Sequence, residues 1–349
     1  MSRLFGWDIG GAHLKVAVLD ESRRRPRLVW RLASYEIWKG REALAGRLRR
    51  MREEIAPGRG ASPAGARHAV TLTAELSDVF PGRDAGVRFI LSACRRALGP
   101  RIVVLDHRGR LLSSTAARRT PGSVAAANWM ASAAVAARAL GGEGLLIDVG
   151  STTTDIVPLA RGRAQPRGRT DLRRLASREL VYTGVLRTPP AALADRVPAG
   201  ADWLRPAPEH FTIMADVWRL LGRIGATEYT VPTPDGRGRS APACARRLAR
   251  LVCAEPRDLG AEGVMRLARF LARRQIDVVA DAVRHVASTI PEARHAVLAG
   301  AGSFLGAAAA RRAGLRTRRL VHLLPGLGAE WDQVAPAACL ALMLREDRG

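Results

Sequence analysis

The run LLIDVGSTTTDIVPL, from Leu145 to Leu159, sets two carboxylates, Asp148 and Asp155, on either side of one glycine and four hydroxyl residues. An apolar strand that ends in Asp148, bends at Gly150 and continues through Ser151, Thr152, Thr153 and Thr154 offers backbone N–H groups and hydroxyls to a phosphate. Alone, the same run reads equally well as a plain β-hairpin. The N-terminus repeats its grammar: LFGWDIGGAHLKVAVLD, Leu4 to Asp20, has a short apolar strand, Asp8, the pair Gly10 and Gly11, and an alternating return through Leu14, Val16 and Val18. Near the other end AVLAGAGSF places Gly300, Gly302 and Ser303 after the strand-like run Ala296 to Leu298. One glycine turn is weak evidence, whereas two facing hairpins make a cleft. The spacing predicts two related halves and a late loop closing the site between them.

The rest of the chain must be large enough to hold such a cleft. With 349 residues, 47% hydrophobic and 25% charged, it is a globular chain with room for two cores. The net charge of +24 suggests a nucleic-acid partner, but its distribution argues otherwise. Only Lys15 and Lys39 are lysines among the 56 basic residues, and the arginines are scattered over the whole length. We expect no specific nucleic acid, and a field that attracts small anions. Cys94, Cys244, Cys253 and Cys339 form no C-x-x-C and no histidine spacing suited to zinc, so they read as reduced, mostly buried thiols. No basic segment followed by an apolar core succeeds Met1, and the alanine-rich stretch Ser123 to Leu140 is short and interrupted by Asn128 and Arg138. The expectation is a cytoplasmic protein without a membrane segment; nothing in the residues sets its oligomeric state.

Strand and helix patterns alternate as in an α/β fold. After the first hairpin we expect a third strand at Leu28 to Ile37, a helix near Glu42 to Ile55, and a loop APGRGASPAG. Then come a strand at His68 to Leu76, a helix near Ala85 to Ala97, a strand at Ile102 to Asp106 and a helix from Ser123. The second hairpin restarts the pattern. From about 160 to 255 the arginine- and proline-rich sequence reads as an irregular insertion or cap. A helix near Glu262 to Ala287, the strand before Gly300, a helix from Phe304, a strand at Arg319 to Leu323 and a last helix from Asp332 complete the chain. The expected domains are residues 1–140, residues 141–333, and a C-terminal helix, 334–349, returning to the first.

Two aspartate-glycine hairpins and a late GAGSF loop resemble the actin-like ATPase superfamily of sugar kinases and seventy-kilodalton heat-shock proteins. That resemblance implies two RNase H-like lobes with nucleotide and Mg²⁺ held between the hairpins. DIGGAHLK, ELVYTGVLRTP (Glu179 to Pro189) and TIMADVWRLLG (Thr212 to Gly222) are similar to a narrower group, the hydantoinase/oxoprolinase-like family linked to tetrahydromethanopterin-dependent one-carbon transfer. Its archaeal members make a methanofuran precursor. They displace diphosphate from an aminomethylfuran-methyl diphosphate and join the furan carbon to the phenol of γ-glutamyltyramine. The resemblance spans nearly the whole chain and implies a diphosphate-releasing transferase, with a tyrosine-based acceptor as a variant. Two further readings stand beside it: an ATP-dependent kinase or ATP-coupled amidohydrolase, with ATP at GAGSF, and a nucleotide-responsive regulatory protein whose output is lobe closure.

A departing diphosphate needs backbone donors, hydroxyls and a hard cation. Asp8 and Asp148 are the candidates to hold Mg²⁺. Gly10, Gly11, Gly150, Ser151 and Thr152, with Gly300, Gly302 and Ser303, are the expected diphosphate contacts. Lys15 suits the developing charge of the leaving group, or is an exposed strand lysine. His13 is a phosphate donor or acid/base group, or a polar turn residue. Asp155 is a further cleft carboxylate or a turn bond. Glu179 is the candidate base for a phenol of reference pKa about 10, or a partner of a neighbouring arginine such as Arg178. Tyr182, Thr183 and Arg187 are placed at the acceptor's entry, Arg187 as a carboxylate clamp. Asp216 touches the site or is a solvated helix charge, and Asn128 and Trp129 line the cleft or pack.

Overall fold

Strands whose apolar residues run nearly unbroken must be covered on both faces, and this chain builds two sheets of that kind. The computed structural model describes residues 3–21, 26–57, 66–324, 326–327 and 331–347. From position 58 on, the loop expected at APGRGASPAG lies outside the described residues. The first sheet contains β1 (Arg3–Gly10), β2 (His13–Asp20), β3 (Arg27–Ser34), β4 (Arg67–Thr73), β5 (Ile102–Leu105) and β6 (Leu111–Ser113), in the order β3-β2-β1-β4-β5-β6. β1 and β2 are the antiparallel hairpin, and β4 runs parallel to β1. α1 (Ile37–Gly40), α2 (Leu44–Ile55), α3 (Arg83–Leu98) and α4 (Ser114–Arg119) accompany this sheet, and the outer core joins Trp7, Ile9 and Val16 to Leu48, Ile90 and Leu91.

α5 (Asn128–Leu140) leads into the second sheet, which repeats the scheme. β7 (Gly144–Val149) and β8 (Thr154–Ala160) form the hairpin, with β9 (Arg163–Ala164) on β8; α6 (Asp171–Ala176) precedes β10 (Leu180–Val181). β11 (Val197–Ala199) and β12 (Asp202–Leu204) make a separate small hairpin, followed by α7 (Met214–Leu220), α8 (Ala241–Arg250) and α9 (Pro256–Ala287). β13 (His295–Ala299) lies parallel to β7, then α10 (Ser303–Arg312) and β14 (Arg316–Arg319), giving the order β10-β8-β7-β13-β14. α11 (Leu320–Leu323) and α12 (Ala335–Glu346) end the described chain.

Several expectations change: the strand expected to reach Leu76 ends at Thr73, and the helix expected from Ser123 begins at Asn128. The third strand stops at Ser34, because Tyr35 and Ile37 turn back to give their N–H groups to the Ala12 and Gly11 carbonyls and start α1. The strand expected at Arg319 to Leu323 is the short β14 ahead of a helical turn, Leu320–Leu323. The arginine- and proline-rich segment after residue 160 is no loose cap: Val185, Leu186, Val197, Met214, Trp218 and Leu248 share one core with Ile147 and Ile156 of the hairpin and Leu267 of α9. Its apolar residues are spaced irregularly along turns, so no period betrays them.

Between the sheets lie α5 and α12, both alanine-rich. They form a third core with Leu4 and Ala17 of the first sheet and Leu146, Val157 and Val297 of the second. α12 packs on β1, β2 and β4 so closely that a side chain at Gly6 would collide with the Ala337 carbonyl.

Candidate active site between the hairpins

Both hairpin turns open into one cleft of about 600 Å³. Its walls take Asp8, Gly10, Gly11 and Lys15 from the first hairpin and Asp148, Gly150, Ser151, Thr152 and Asp155 from the second. In the first, Asp8 lies opposite Lys15 in the antiparallel register, and Lys15 Nζ is 3.0 Å from Asp8 Oδ2. Asp8 is 2% exposed and its Oδ1 has no hydrogen-bond partner among the described residues. Burial pulls the Lys15 pKa down, but the charge and hydrogen bond of Asp8, with Asp148 and Asp155 beyond, outweigh it and hold the ammonium above its ordinary value. Lys15 is therefore a fixed cation.

In the second hairpin the cross-strand pair is Asp148 with Asp155, two carboxylates. Arg174 of α6 donates from Nη1 to Asp155 Oδ1 at 2.7 Å, its guanidinium lying 4.0 Å over the Trp129 ring. Among the described residues Asp148 receives one side-chain hydrogen bond, from the Ser132 hydroxyl, 3.0 Å from Oδ2. Burial, reinforced by Asp155, pushes the Asp148 carboxyl up to about 7, against the pull of Lys15 and Ser132. The late loop closes on the same carboxylate: Gly300 has φ 84°, and any side chain there would strike the Val149 carbonyl and Asp148 Oδ1.

The family-like string ELVYTGVLRTP anchors this turn from behind. Val185 N–H donates to the Gly150 carbonyl at 2.9 Å, and Leu186 and Arg187 N–H groups donate to that of Ser151 at 3.1 and 2.9 Å. Gly184 packs against the Ser151–Thr152 backbone where a side chain would overlap it. Thr183 belongs to this support: it is buried, bonded through its hydroxyl to Thr188 and Gln275, and does not line the cleft. Glu179 is fully buried and outside the cleft; its carboxylate accepts the Arg167 and Gly168 N–H groups at 2.7 and 3.0 Å. A carboxylate so engaged is a strut and no base. Its carboxylate makes no ion pair with an arginine among the described residues: Arg178 pairs with Asp281, and Arg174 donates to the Glu179 backbone carbonyl instead. Gly302 and Ser303 sit beneath the cleft floor, Gly302 donating its N–H to the Val149 carbonyl, while Gly300 and Ala301 line it. Asp216 is fully buried too, held by Arg247, Tyr229 and Thr212, so it is neither solvated nor at the site.

His13, Tyr182, Arg187, Asn128 and Trp129 do line the cleft. Tyr182 is largely exposed at the rim. Arg187 stacks over Trp38 at 5.7 Å and has no ion pair among the described residues. His13 is buried, with Nε2 unpartnered among the described residues; burial, then Lys15 and Arg187, depress its pKa against opposition from the Thr230 backbone and Asp8, which favours the neutral imidazole. His13, Ala12 and Arg187 also border a second chamber of about 250 Å³.

Four cleft carboxyls went unread in the sequence: Glu75, Asp171, Glu228 and Asp332. Glu75, just past β4, is 1% exposed with Oε2 unpartnered, and Asp171 opens α6. The signal for Glu75 is an acid directly after an apolar strand, in TLTAEL, the same grammar as Asp8 and Asp148.

Among the described residues no three or more His, Cys, Asp or Glu form a ready cage for a metal. A cation is offered two carboxylates, Asp8 with its unpartnered Oδ1 and Asp148.

Relatives share this arrangement's chain at length. The chain is 29% identical over 284 residues, 81% of it and 82% of the relative, to the (4-{4-[2-(gamma-L-glutamylamino)ethyl]phenoxymethyl}furan-2-yl)methanamine synthase of Methanocaldococcus jannaschii. It is 32% identical over 142 residues, 41% of it and 64% of the relative, to the synthase of the same name from Methanococcus vannielii. Among solved structures it resembles nucleotide-free acetone carboxylase with a TM-score of 0.57, 10% identity, and coverage of 97% of this chain and 70% of that one. That likeness, with the doubled hairpin-and-parallel-strand scheme, gives the fold as the two-lobed actin and sugar kinase type. Residues 67–339 match the family described as hydantoinase/oxoprolinase, and the chain belongs to that family.

Proposed function

We propose that the protein is a transferase that displaces diphosphate from an aminomethylfuran-methyl diphosphate and joins the furan methylene to the phenol of γ-glutamyltyramine or a tyrosine analogue. The observation that carries this reading is the cleft itself: two glycine turns, a fixed ammonium at Lys15 and two flanking carboxylates suit a departing diphosphate. Its support from relatives is that two synthases bear the name of the corresponding furan-methyl aryl ether.

Each wall has a part. The backbone at Gly10, Gly11, Gly150 and Gly300, with the hydroxyls of Ser151 and Thr152, surrounds the diphosphate. Lys15 neutralises charge as the carbon–oxygen bond to diphosphate breaks. Asp8 and Asp148 fit Mg²⁺, which takes a few carboxylates and fills its shell with water and substrate oxygens. When bound, the ion supplies Lewis-acid stabilisation of the leaving diphosphate. Arg187, which has no ion pair among the described residues and borders both chambers, suits a clamp on the acceptor's carboxylate. The enzyme belongs in a reducing cytoplasm and in tetrahydromethanopterin-linked one-carbon metabolism; its four cysteines form no disulfide. No helix among the described residues is long and apolar enough to cross a membrane.

The test is pyrophosphate release by purified protein with Mg²⁺, the furan diphosphate and γ-glutamyltyramine or its tyrosine analogue, with ATP alone in parallel. Acceptor-dependent pyrophosphate and an ether product are expected. ATP consumption without ether overturns the reading in favour of an ATP-coupled one.

A further inference from the structure

Ether formation releases a phenolic proton; on the hairpins Asp8 and Asp148 are assigned to the cation, which leaves the neutral His13 as the rival acceptor there. Lys15 stays protonated beside Asp8, Asp155 is held by Arg174, and Glu179 is sealed behind the turn. Another wall of the same cleft carries Glu75, almost wholly buried, with no hydrogen-bond partner for Oε2 among the described residues. Its position is tightly set. A side chain at Gly86 of α3 would overlap the Glu75 backbone, so helix and turn are pressed together. Ala126, held at a left-handed φ of 48°, contributes a backbone hydrogen bond to the carboxyl. Backbone strain of this kind in a non-glycine residue is kept where it positions something.

We propose that Glu75 is the catalytic base for the acceptor, an inference that rests on the diphosphate-displacement reading above. The phenol proton passes to Glu75 Oε2 as the phenol oxygen bonds to the furan methylene carbon. The carbon's bond to diphosphate breaks, and diphosphate leaves with the electron pair. No oxidant or other reactant is needed. The surroundings suit a base: burial pushes the Glu75 carboxyl up to about 7, and Asp171 from α6 adds to this. Its own backbone, that of Ala126, and Arg83 from α3 pull the other way. A carboxylate near 7 is closer in basicity to a phenol than an exposed glutamate at about 4.3.

The experiment is Glu75→Gln in the pyrophosphate and ether assay, with an ordinary and a ring-fluorinated phenolic acceptor. With the ordinary acceptor kcat is expected to fall about 100-fold while the acceptor KM stays within about threefold. With the more acidic fluorinated phenol the loss shrinks to less than about tenfold, because less proton affinity is asked of the base. The pH dependence of kcat/KM near pH 7, to which Asp148 also contributes, loses one ionisation in Glu75→Gln and keeps it in Glu75→Asp, which retains a carboxylate. A Glu75→Gln kcat within about threefold of the parent, or equal losses with both acceptors, overturns the proposal. Wild-type protein that makes no ether removes the parent reading and this role together, whereas wild type and Glu75→Gln turning over alike removes only Glu75.

Discussion

The two hairpins have one backbone plan and opposite charge plans. β1–β2 sets Asp8 against Lys15, a neutralised pair at 3.0 Å, whereas β7–β8 sets Asp148 against Asp155. Like charges directly opposite on a sheet are destabilising, and the second hairpin manages them by giving Asp155 to Arg174 and leaving Asp148 inclined to keep a proton. The first hairpin is complete in itself; the second is short of positive charge. A cleft designed only to be stable would not leave one turn in that condition, while a cleft that must grip a cation and release an anion gains from it.

That contrast breaks or sharpens under four measurements. The largest effect is on turnover: Asp8→Asn and Asp148→Asn should each lower pyrophosphate release about 10³-fold, and full activity in both ends the metal-cleft account. Stability should then separate them. Asp148 binds its proton more tightly folded than unfolded, so it costs stability as pH rises from about 4 to about 7. Asp148→Asn should therefore be more stable than wild type at pH 8, by on the order of 3 kcal/mol in urea titrations, with the gain gone at pH 4. Asp8→Asn, which strands Lys15, should instead be less stable by about 1–3 kcal/mol, and equal signs in the two variants would dissolve the contrast. Next, Lys15→Met should lower kcat about 100-fold with donor KM within about threefold; a normal kcat returns Lys15 to a structural ion pair. The smallest effect is on melting with Mg²⁺ and inorganic diphosphate. At 100 times the dissociation constant the gain is about 2.7 kcal/mol, and it should shrink in Asp148→Asn.

Local grammar made the hairpins readable, because an apolar strand, an aspartate and a glycine turn are contiguous in sequence. Asp8, Lys15 and Asp148 could be named without coordinates for that reason, whereas Arg187 and Tyr182 were named from the string ELVYTGVLRTP. What failed was the step from a distinctive string to a ligand contact. Glu179 and Thr183 stand beside Tyr182 in sequence, but the β10 segment turns inward there, and its groups serve the backbone of the hairpin and of Arg167 and Gly168. Glu75 was hidden for the converse reason. The expected strand ran on to Leu76, which made Glu75 one more alternating residue, when β4 ends at Thr73 and the turn aims it at the cleft. The region after residue 160 was opaque because its core residues come from turns and short elements that share no period.

Gly6 has a consequence for which variants of this chain can fold. β1 and α12 meet there backbone to backbone, and α12 belongs to the core shared by both sheets. Every amino acid other than glycine carries a Cβ, so no replacement at position 6 is conservative, alanine included. A gene drifting under mutation can trade leucine for methionine elsewhere in this core at small cost. At this position it has a single permitted letter, and a break there displaces the helix that both halves of the cleft lean on.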